Sequence, residues 1–434
     1  MKRFTYWLKE KLWLSPAIYI GIAVALSIAF FYVDLLVVNR FKEFIPSILL
    51  TNVELARTIM GGLSSALLTM TTFTFSTILV VLTMYSSQFS PRTLKNFIHD
   101  RLTWRVLGIF LGGFIYNTLS LLFMRDDLYE TDILSAFVGI LIAFFCLATF
   151  AYFIHYIATL VQVGKLVTEL EEDTEQVISN YKELQADDSR SPSSWQPSGI
   201  KETVVAEKSG YLQFLSFERM SKYAKEQEIL IEFDACIGDY LFEGKPIFHI
   251  YKTAEKDLSF DRFYSVGNER TSEQDLDFAL QKLVEVALRA ISPGINDPNT
   301  ANEIILKMGR LLGKVGHLKT GPFALEDNDG NPHLLYTFPS YPDVLYKTFY
   351  QLAHYGRQDI SVLTSITKSL TAAAQMGPDK YHPDIWDIQL YLLEDIQNQH
   401  MKKLDLQQLQ KKVDVLAEAT GQRALNILSD NFGT

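Results

Sequence analysis

Hydrophobic and polar positions divide the chain near residue 165. Before that point the sequence contains four long apolar runs, at residues 17–38, 58–87, 106–124 and 133–163. The first run carries one charged side chain, Asp34, and the other three carry none. A helix needs about 20 apolar residues to cross the hydrocarbon core of a bilayer, and helices satisfy their own backbone polar groups there. The pattern therefore predicts a membrane domain over residues 1–165 with four transmembrane helices.

Charged residues follow the same division. The 434 residues include 40 Lys and Arg against 50 Asp and Glu, which gives a formal net charge of −10. The first 165 residues hold 22 of these charges and net +4, whereas the other 269 residues hold 68 and net −14. An acidic surface repels phosphate, which argues against nucleic acid as a partner. The partner that the first part predicts is the lipid bilayer.

Basic residues near the ends of the apolar runs predict the orientation. They are concentrated before the first run and between the second and third, so we expect both termini in the cytoplasm and the protein in the inner membrane. We expect the second of these segments to contact anionic headgroups, or to join the soluble part to the end of the second helix. This basic loop contains Arg92, Lys95, Arg101 and Arg105.

The pattern changes several times after residue 165. Heptad-like spacing over residues 166–186 predicts a helical stalk, which either forms a coiled coil or packs on its own soluble domain. Residues 187–199 are rich in Ser, Pro and Asp and predict a flexible linker. Short β-like runs predict a small β-barrel or sandwich over residues 200–267, and helical periodicity predicts a helical domain over residues 268–434. The expected fold class is an α-helical membrane protein with an α+β cytoplasmic region.

The second apolar run is rich in hydroxyl groups, since 12 of its 30 residues are Ser or Thr. Small and hydroxyl residues recur there at spacings of three, four or seven, which places them along one face of a helix. We call this face the stripe. It consists of Thr58, Gly62, Ser65, Thr69, Thr72, Ser76, Thr83 and Ser87.

Two interpretations of the stripe are open. In the first, its small residues let helices pack closely against one another. In the second, its hydroxyls line a hydrated path and replace part of an ion's water shell. Four helices are too few to enclose an aqueous pore, so the second interpretation requires several copies around an axis. It predicts a homo-oligomer with an ion or small ligand as its partner.

Candidate chemistry outside the apolar runs lies at Glu269-Arg270-Thr271, Gln274-Asp275 and the segment AISPGINDPNTA at residues 290–301. Asp297 is a suitable helix N-cap, and Pro298 suits the first helical position, so this segment predicts a tight corner between two helices. The alternative is a small oxygen-rich pocket for a cation or polar ligand. Its candidate members are Glu269, Arg270, Asp275, Asn296, Asp297 and Asn299.

The same motifs carry a family resemblance. The ERT, QD and ALRAISPGINDPNTA elements, together with SSQFSPR at residues 86–92 and HDR at residues 99–101, resemble the signature of a bacterial family of predicted membrane proteins, domain of unknown function 2254. The resemblance covers nearly the whole chain and implies a multi-pass membrane protein with a cytoplasmic tail. It implies no activity, substrate or catalytic residue.

Enzyme motifs are missing from the sequence. It contains no GxxxxGK(S/T), HExxH, GxSxG or dinucleotide-binding pattern, its eight histidines are scattered, and its two cysteines lie in different halves. We therefore expect no catalytic residue, metal or cofactor. Two functions are left. One is a channel-like homo-oligomer whose second transmembrane helix lines an ion path regulated by the cytoplasmic domain, and the other is a membrane-anchored cytoplasmic sensor or scaffold without transport.

Overall fold

A computed structural model describes residues 13–41, 44–88, 92, 101–124, 132–160, 162–186, 189–190, 199–255, 258–326, 330–394 and 401–428. The chain separates into two compact units, Met1–Lys165 and Leu166–Thr434. The boundary falls where the hydropathy pattern changes. Each unit has its own core.

Within the described residues, the first unit contains four helices that are long and apolar enough to cross a membrane. They are α1 (Leu14–Val33), α2 (Val53–Gln88), α3 (Arg101–Phe123) and α4 (Ser135–Leu160). A π-helical turn, Asp34–Val38, extends α1, and short turns at Asn39–Phe41 and Ser47–Leu49 follow it. The four predicted apolar helices are confirmed, although α2 begins five residues before its predicted start.

Helix α3 is the centre of the first unit, because α1, α2 and α4 all pack against it. Its side chains Phe110 and Tyr116 are fully buried. Gly113 allows the close approach of two neighbours, since a Cβ at this position would lie 2.9 Å from the Sγ of Cys146 and 3.3 Å from a methyl group of Leu67. Helix α2 contacts only α3 and α4 extensively among the described elements, so one of its sides is left uncovered.

The second unit contains two β-sheets. The strands are β1 (Ser189–Arg190), β2 (Ile200–Val205), β3 (Gly210–Leu215), β4 (Ile229–Phe233), β5 (Tyr240–Leu241), β6 (Pro246–Lys252), β7 (Tyr264–Gly267), β8 (Gly321–Glu326) and β9 (Pro332–Phe338). A six-stranded sheet has the order β1-β8-β9-β4-β6-β2, and a three-stranded sheet has the order β5-β3-β7. Strands β4 and β9 are parallel, with Ile231 opposite Leu334, and the other pairs are antiparallel.

This topology corrects the prediction of a self-contained β module over residues 200–267. The larger sheet includes β8 and β9, which come from the segment predicted as a helical domain, so the predicted boundary at residue 268 does not separate two domains. Strands that neighbour each other in sequence usually pair, and β4 with β9 is a departure from that rule. Strand β1 lies within the predicted linker and pairs with β8, while residues 187–188 and 191–198 lie outside the described residues.

Eight α-helices follow α4 in the residues that the structure describes. They are α5 (Val163–Ala186), α6 (Phe217–Gln227), α7 (Leu276–Ala290), α8 (Pro298–Gly316), α9 (Tyr341–Gly356), α10 (Ile360–Met376), α11 (His382–Glu394) and α12 (Lys403–Thr420). Each of the helices α7, α8, α9 and α10 has a capping residue whose side chain accepts a hydrogen bond from an amide of the first turn. In order, the capping residues are Asp275, Asp297, Ser340 and Asp359. Such caps explain why these helices start where they do.

Helix α5 is the predicted stalk, and from residue 166 onwards it packs within the second unit. Its apolar side, which includes Leu170 and Tyr181, is buried there. Glu171 of α5 forms ion pairs with Lys307 and Arg310 of α8, at 3.1 and 2.5 Å. The heptad-like spacing allows either a coiled coil or a helix packed on the following domain. In the structure, α5 is packed within the second unit.

Candidate functional site

The stripe on α2 faces away from the rest of the first unit. All eight of its positions are exposed. Buried positions Met60, Leu67, Thr74 and Val81 recur every seven residues on the other side of the helix. Because successive residues of an α-helix are rotated by about 100°, these positions lie roughly opposite the stripe. Between the described helices of one chain, the stripe is therefore not a packing surface.

Most stripe hydroxyls donate a hydrogen bond to a carbonyl of their own helix. Thr69 Oγ1 donates to the Ser65 carbonyl at 2.9 Å, and Thr72 Oγ1 donates to that of Leu68 at 3.0 Å. The hydroxyls of Thr58, Ser65, Thr83 and Ser87 donate in the same way. A hydroxyl that donates its proton in this way still has lone pairs that can accept further hydrogen bonds. The stripe therefore presents oxygen acceptors to its surroundings.

A second set of hydroxyls on α2 points into the bundle. Ser64 lies 3.4 Å from the hydroxyl of Thr118 on α3, and Thr71 donates to the Leu67 carbonyl at 2.8 Å. The hydroxyl of Thr74 has no hydrogen-bond partner among the described residues. The abundance of Ser and Thr in the second apolar run does not by itself separate these inward groups from the stripe. The recurrence of Met60, Leu67 and Val81 every seven residues, or multiples of seven, on their side of α2 is the signal that separates them.

Both ends of α2 are attached to the ends of neighbouring helices. Near its start, Arg57 Nε donates to the carbonyl of Met124, which follows the last residue of α3, at 3.0 Å. Near its end, the Tyr85 hydroxyl donates to the carbonyl of Leu160, the last residue of α4, at 2.7 Å. We call this second end, where α4 passes into α5, the tail end. Carbonyls at the C-terminal end of a helix lack hydrogen-bond partners within the helix, and these two side chains donate to such carbonyls.

The single acidic residue in the first predicted run has a structural role. The carboxylate of Asp34 accepts hydrogen bonds from the amides of Leu134 and Ser135, at 2.8 and 3.3 Å. These amides begin α4, where an acidic group complements the helix dipole. The π-helical turn that starts at Asp34 therefore joins α1 to α4.

An open groove of about 420 Å³ lies along α2 at the tail end. It is lined by Leu79, Val80, Thr83, Met84 and Ser87. Thr83 and Ser87 belong to the stripe, so the groove is a continuation of it. Two hydroxyls and three apolar side chains form its wall.

Arg270 and Asp275 of the ERT and QD elements form a buried ion pair. The Nε and Nη2 atoms of Arg270 each lie 2.8 Å from a carboxylate oxygen of Asp275, whose side chain is 2% exposed. Burial raises the pKa of Asp275 to about 6, and the charge of Arg270 opposes that rise. Gly238 has a φ of 93° and packs on the pair, because a Cβ there would lie 2.2 Å from the carboxylate.

Gln274 and Thr271 attach the same segment to strand β3. The side-chain oxygen of Gln274 accepts a hydrogen bond from the backbone amide of Leu215 at 2.9 Å. The side-chain nitrogen of Gln274 donates to the backbone carbonyl of Leu215 at 3.0 Å. Thr271 donates to the Gln213 carbonyl at 3.4 Å, and the Gln213 side chain donates to the Glu269 carbonyl at 2.7 Å. These bonds join β3 to the start of α7. We call this arrangement the β3–α7 joint.

The NDP segment forms the predicted corner between α7 and α8. The Asp297 carboxylate accepts from the Thr300 amide at 3.2 Å, and Asn296 has a positive φ of 53°. Asn296, Asp297 and Asn299 are exposed at one end of α7, whereas Asp275 caps the other. A helix of 15 residues is about 22 Å long, so the predicted pocket that combines both groups is not formed. No group of three or more His, Cys, Asp or Glu suited to a metal occurs in the described part of the chain.

The basic loop is only partly described. Arg105 is exposed on α3 and Arg92 is exposed, whereas Lys95 and the side chain of Arg101 lie outside the described residues. Contact of this loop with headgroups or with the second unit stays a prediction.

Comparison with known proteins gives distant relatives. An uncharacterized protein of Mycobacterium tuberculosis is 26% identical over 332 residues, which cover 74% of this chain and 64% of the relative. An uncharacterized protein of Mycobacterium bovis shows the same identity and coverage. The chain thus spans about two thirds of the length of these relatives. No solved structure matches it.

The family comparison covers most of the chain, including all four apolar helices, the stripe and the β3–α7 joint. The sequence pattern of the predicted membrane proteins with domain of unknown function 2254 matches residues 9–372. This match, the four helices and the motifs that resembled the family agree with one another. The chain belongs to the family of predicted membrane proteins that carry domain of unknown function 2254.

Proposed function

We propose that the protein is a channel-like homo-oligomer of the inner membrane, in which α2 of each copy lines a path for small ions. The second unit lies in the cytoplasm with both termini and regulates this path. The observation that carries the proposal is the outward direction of the stripe: eight small or hydroxyl positions face away from the bundle to which their helix belongs.

The outward sides of the other apolar helices differ from the stripe. Helix α1 exposes Ile18 and Ile22, and α4 exposes Leu141, Phe144 and Phe145. Large apolar side chains suit acyl chains, since lipid tails are as apolar as leucine. The stripe instead offers hydroxyl oxygens and a glycine, and the large apolar residues Leu79 and Val80 are exposed on this side of α2 near its end. A second copy of α2 or water suits this surface better than lipid.

The length of the stripe matches a path across the whole bilayer. Residues 58–87 of a helix extend over about 44 Å, at 1.5 Å per residue, and the hydrocarbon core is about 30 Å thick. Back-bonded hydroxyls keep their lone pairs available along that length, and such oxygens can replace part of a cation's hydration shell. Copies of α2 around an axis would surround a path lined by hydroxyls except between Ser76 and Thr83, where Leu79 and Val80 are exposed.

The absence of charge from the stripe predicts the kind of selectivity. Residues 58–87 contain no Asp, Glu, Lys or Arg. Channels that discriminate strongly by the sign of charge use rings of ionised side chains or of backbone carbonyls. We therefore propose weak discrimination among small ions rather than a filter for one of them.

The test combines ion flux in liposomes with the oligomeric state in nanodiscs. Thr72→Leu and Ser76→Leu place apolar bulk on the stripe, and we expect them to reduce flux by about tenfold while the number of subunits stays the same, which corresponds to about 1.4 kcal/mol. Phe75→Leu is the matched control, because Phe75 is exposed on α2 beside the stripe. Purified protein that is monomeric in mild detergent and in nanodiscs would remove the proposal.

Two other results identify the alternatives. If the stripe only packs copies of α2 together, the two leucine substitutions should dissociate the oligomer, and no flux should be seen in any variant. If the protein is a membrane-anchored sensor or scaffold without transport, flux should be absent and the oligomeric state should not depend on the stripe.

A further inference from the structure

We propose that Arg219 and Arg262 form a binding site for a phosphate group on the second unit. The phosphate belongs either to a small soluble ligand or to a lipid headgroup, and the test distinguishes these two sources. The inference goes beyond the proposed function, because all of its residues lie in the second unit and its test measures binding rather than conduction. Either proposal can therefore fail without the other.

The two arginines come from different elements and converge on one aromatic ring. Arg219 lies on α6, and Arg262 lies in the turn before β7. The guanidinium carbon of Arg262 lies 4.9 Å from the ring centroid of Phe263, and that of Arg219 lies 5.6 Å from the same centroid. Phe263 is buried, whereas both arginines are exposed. Both guanidinium groups therefore lie on the solvent side of one ring, where a single anion can contact both.

The backbone that carries the arginines is held by hydrogen bonds. The Phe263 amide donates to the Phe260 carbonyl at 2.9 Å, which closes the turn that contains Arg262. The Phe263 carbonyl accepts from the amide of Ser216, the residue before α6, at 2.8 Å. The side chain of Phe260 is also buried. The turn is thus bonded to the start of the helix that carries Arg219, so the two arginines are held near each other before a ligand binds.

Tyr223 extends the aromatic surface beneath the arginines. Its ring centroid lies 5.2 Å from that of Phe263, and the guanidinium carbon of Arg262 lies 5.3 Å from the Tyr223 centroid. Tyr223 follows Arg219 by four residues on α6, so these two side chains are neighbours on one side of the helix. Among the described residues, the Tyr223 hydroxyl has no hydrogen-bond partner. This hydroxyl is therefore available as a further donor to a ligand.

Neither guanidinium group has a carboxylate partner within the described part of the chain. Other cations of the second unit do have one, since Arg270 binds Asp275 and Lys347 binds Asp277. Each guanidinium group carries five N–H donors, and stacking on a ring leaves the donors at its edge accessible. The two arginines therefore place positive charge and unused donors together on the surface.

This donor arrangement favours phosphate over a carboxylate. A single guanidinium group satisfies a carboxylate through two parallel hydrogen bonds, whereas a phosphate monoester has three acceptor oxygens and a charge of about −1.5 to −2 at pH 7. Two guanidinium groups suit such an anion. Residues 166–434 carry a net charge of −14, which disfavours a long polyanion such as nucleic acid. The site therefore suits a single phosphate group.

The test measures how fast phenylglyoxal, which modifies arginine, reacts with the full chain in phosphatidylcholine nanodiscs. Peptide mass spectrometry follows Arg219 and Arg262, with the exposed Arg423 as the control. Saturating inorganic phosphate or glycerol 3-phosphate should slow the reaction at the two site arginines about tenfold, as expected when about nine tenths of the sites are occupied. At Arg423 the change should stay below about twofold. Sodium chloride at the same ionic strength is the reference.

Arg219→Lys keeps the charge but removes the planar guanidinium group, so it distinguishes a defined site from a diffuse positive surface. We expect it to raise the phosphate concentration that half-protects Arg262 about tenfold, because the paired hydrogen bonds of one guanidinium group are lost. Arg423→Lys is the matched control and should leave this concentration unchanged. Arg262→Lys should weaken the protection of Arg219 in the same way, and it replaces Arg219→Lys if that variant does not fold.

The source of the phosphate is identified with nanodiscs in which phosphatidic acid, whose headgroup is a phosphate monoester, replaces part of the phosphatidylcholine. Protection in these nanodiscs without soluble phosphate supports a lipid headgroup, and protection only by soluble phosphate supports a small ligand. Four results would each overturn the proposal: no protection by either source, equal protection of Arg423, equal protection by sodium acetate, or unchanged protection of Arg262 in Arg219→Lys.

Discussion

The stripe and the β3–α7 joint differ in how their polar groups are used. The joint contains Arg270, Asp275 and Gln274, which are residue types typical of binding sites, yet each is hydrogen-bonded inside the second unit. The stripe contains no charge, yet all of its positions face outwards. In this protein, the chemical reactivity of a residue type therefore does not show whether the residue belongs to a binding site. Direction and remaining hydrogen-bonding capacity distinguish a candidate site from a structural one.

The contrast also gives the ERT and QD elements a structural role. At the joint, the chain uses an ion pair, an amide pair and a closely packed glycine to hold the central strand β3 of the smaller sheet against the start of a helix. Such buried polar groups are costly when unpaired, so they must be present together. The requirement is structural, and it accounts for the ERT and QD elements without a ligand.

Removal of Asp275 is expected to have the largest effect. Asp275→Ala leaves the Arg270 guanidinium without its carboxylate and removes the cap of α7, so the second unit should lose about 3–5 kcal/mol of unfolding free energy. Urea-dependent proteolysis of the full chain in nanodiscs measures the loss. Asp297→Ala is the control, because that exposed cap should cost about 1 kcal/mol. Similar losses for both variants would show that the joint is not a buried structural pair.

Substitution of Glu171 should lower the free energy of unfolding by less than Asp275→Ala does, and the loss should depend on pH. Burial alone raises the pKa of Glu171, but hydrogen bonds and charges of Arg310 and Lys307 outweigh it and lower the pKa below the ordinary 4.5. The group therefore stabilises the fold above pH 4.5, and this contribution disappears as pH falls through the lowered pKa.

We expect Glu171→Gln to cost about 1–2 kcal/mol at pH 7, with the half-exposed Arg310 keeping the effect modest, and to flatten the acid side of the stability profile. Urea titrations at pH 3 to 7 measure it. Glu303→Gln removes an exposed partner of the same Lys307 and should cost less than about 0.5 kcal/mol. An unchanged acid limb in Glu171→Gln would contradict the assignment.

The smallest predicted effect concerns the inward side of α2. Thr74 is fully buried, and its hydroxyl lacks a partner among the described residues. Thr74→Val keeps the shape and removes an unsatisfied group, so we expect the first unit to gain about 1 kcal/mol. Thermal unfolding in detergent measures the gain. Thr71→Val, which removes a bonded hydroxyl, is the comparison, and a lower melting temperature for Thr74→Val than for Thr71→Val would argue against the difference between the two positions.

Much of the first unit can be predicted from the sequence. Long uncharged runs specify helices in any apolar surrounding, and the periodicity of Thr58, Thr69 and Ser76 specifies a common face. The periodicity alone does not show whether that face points towards the other helices of the first unit or away from them. Met60, Leu67 and Tyr85 lie opposite the stripe and are buried, whereas Phe73 and Phe75 on other sides of the helix are half exposed, so the size of a side chain does not show which side is buried.

The second unit was less predictable, because its pairings are distant in sequence. Ile231 and Leu334 are neighbours in the sheet, although 102 residues separate them along the chain. No local pattern reports such a pairing, and β8 lies within residues 268–434, for which the sequence predicts a helical domain. The stalk illustrates the same limit. Its heptad spacing suits a coiled coil and a packed helix equally, and Lys307 and Arg310, far along the chain, decide between them.

The wide turn at Asp34–Val38 makes the length of the first helix critical. An α-helix rotates by about 100° per residue, so deleting one residue from α1 just before this turn would swing the Asp34 carboxylate away from Leu134 and Ser135. Insertions of one residue would do the same in the opposite sense. Homologous chains should therefore tolerate substitutions of apolar residues around this turn far better than changes in their number.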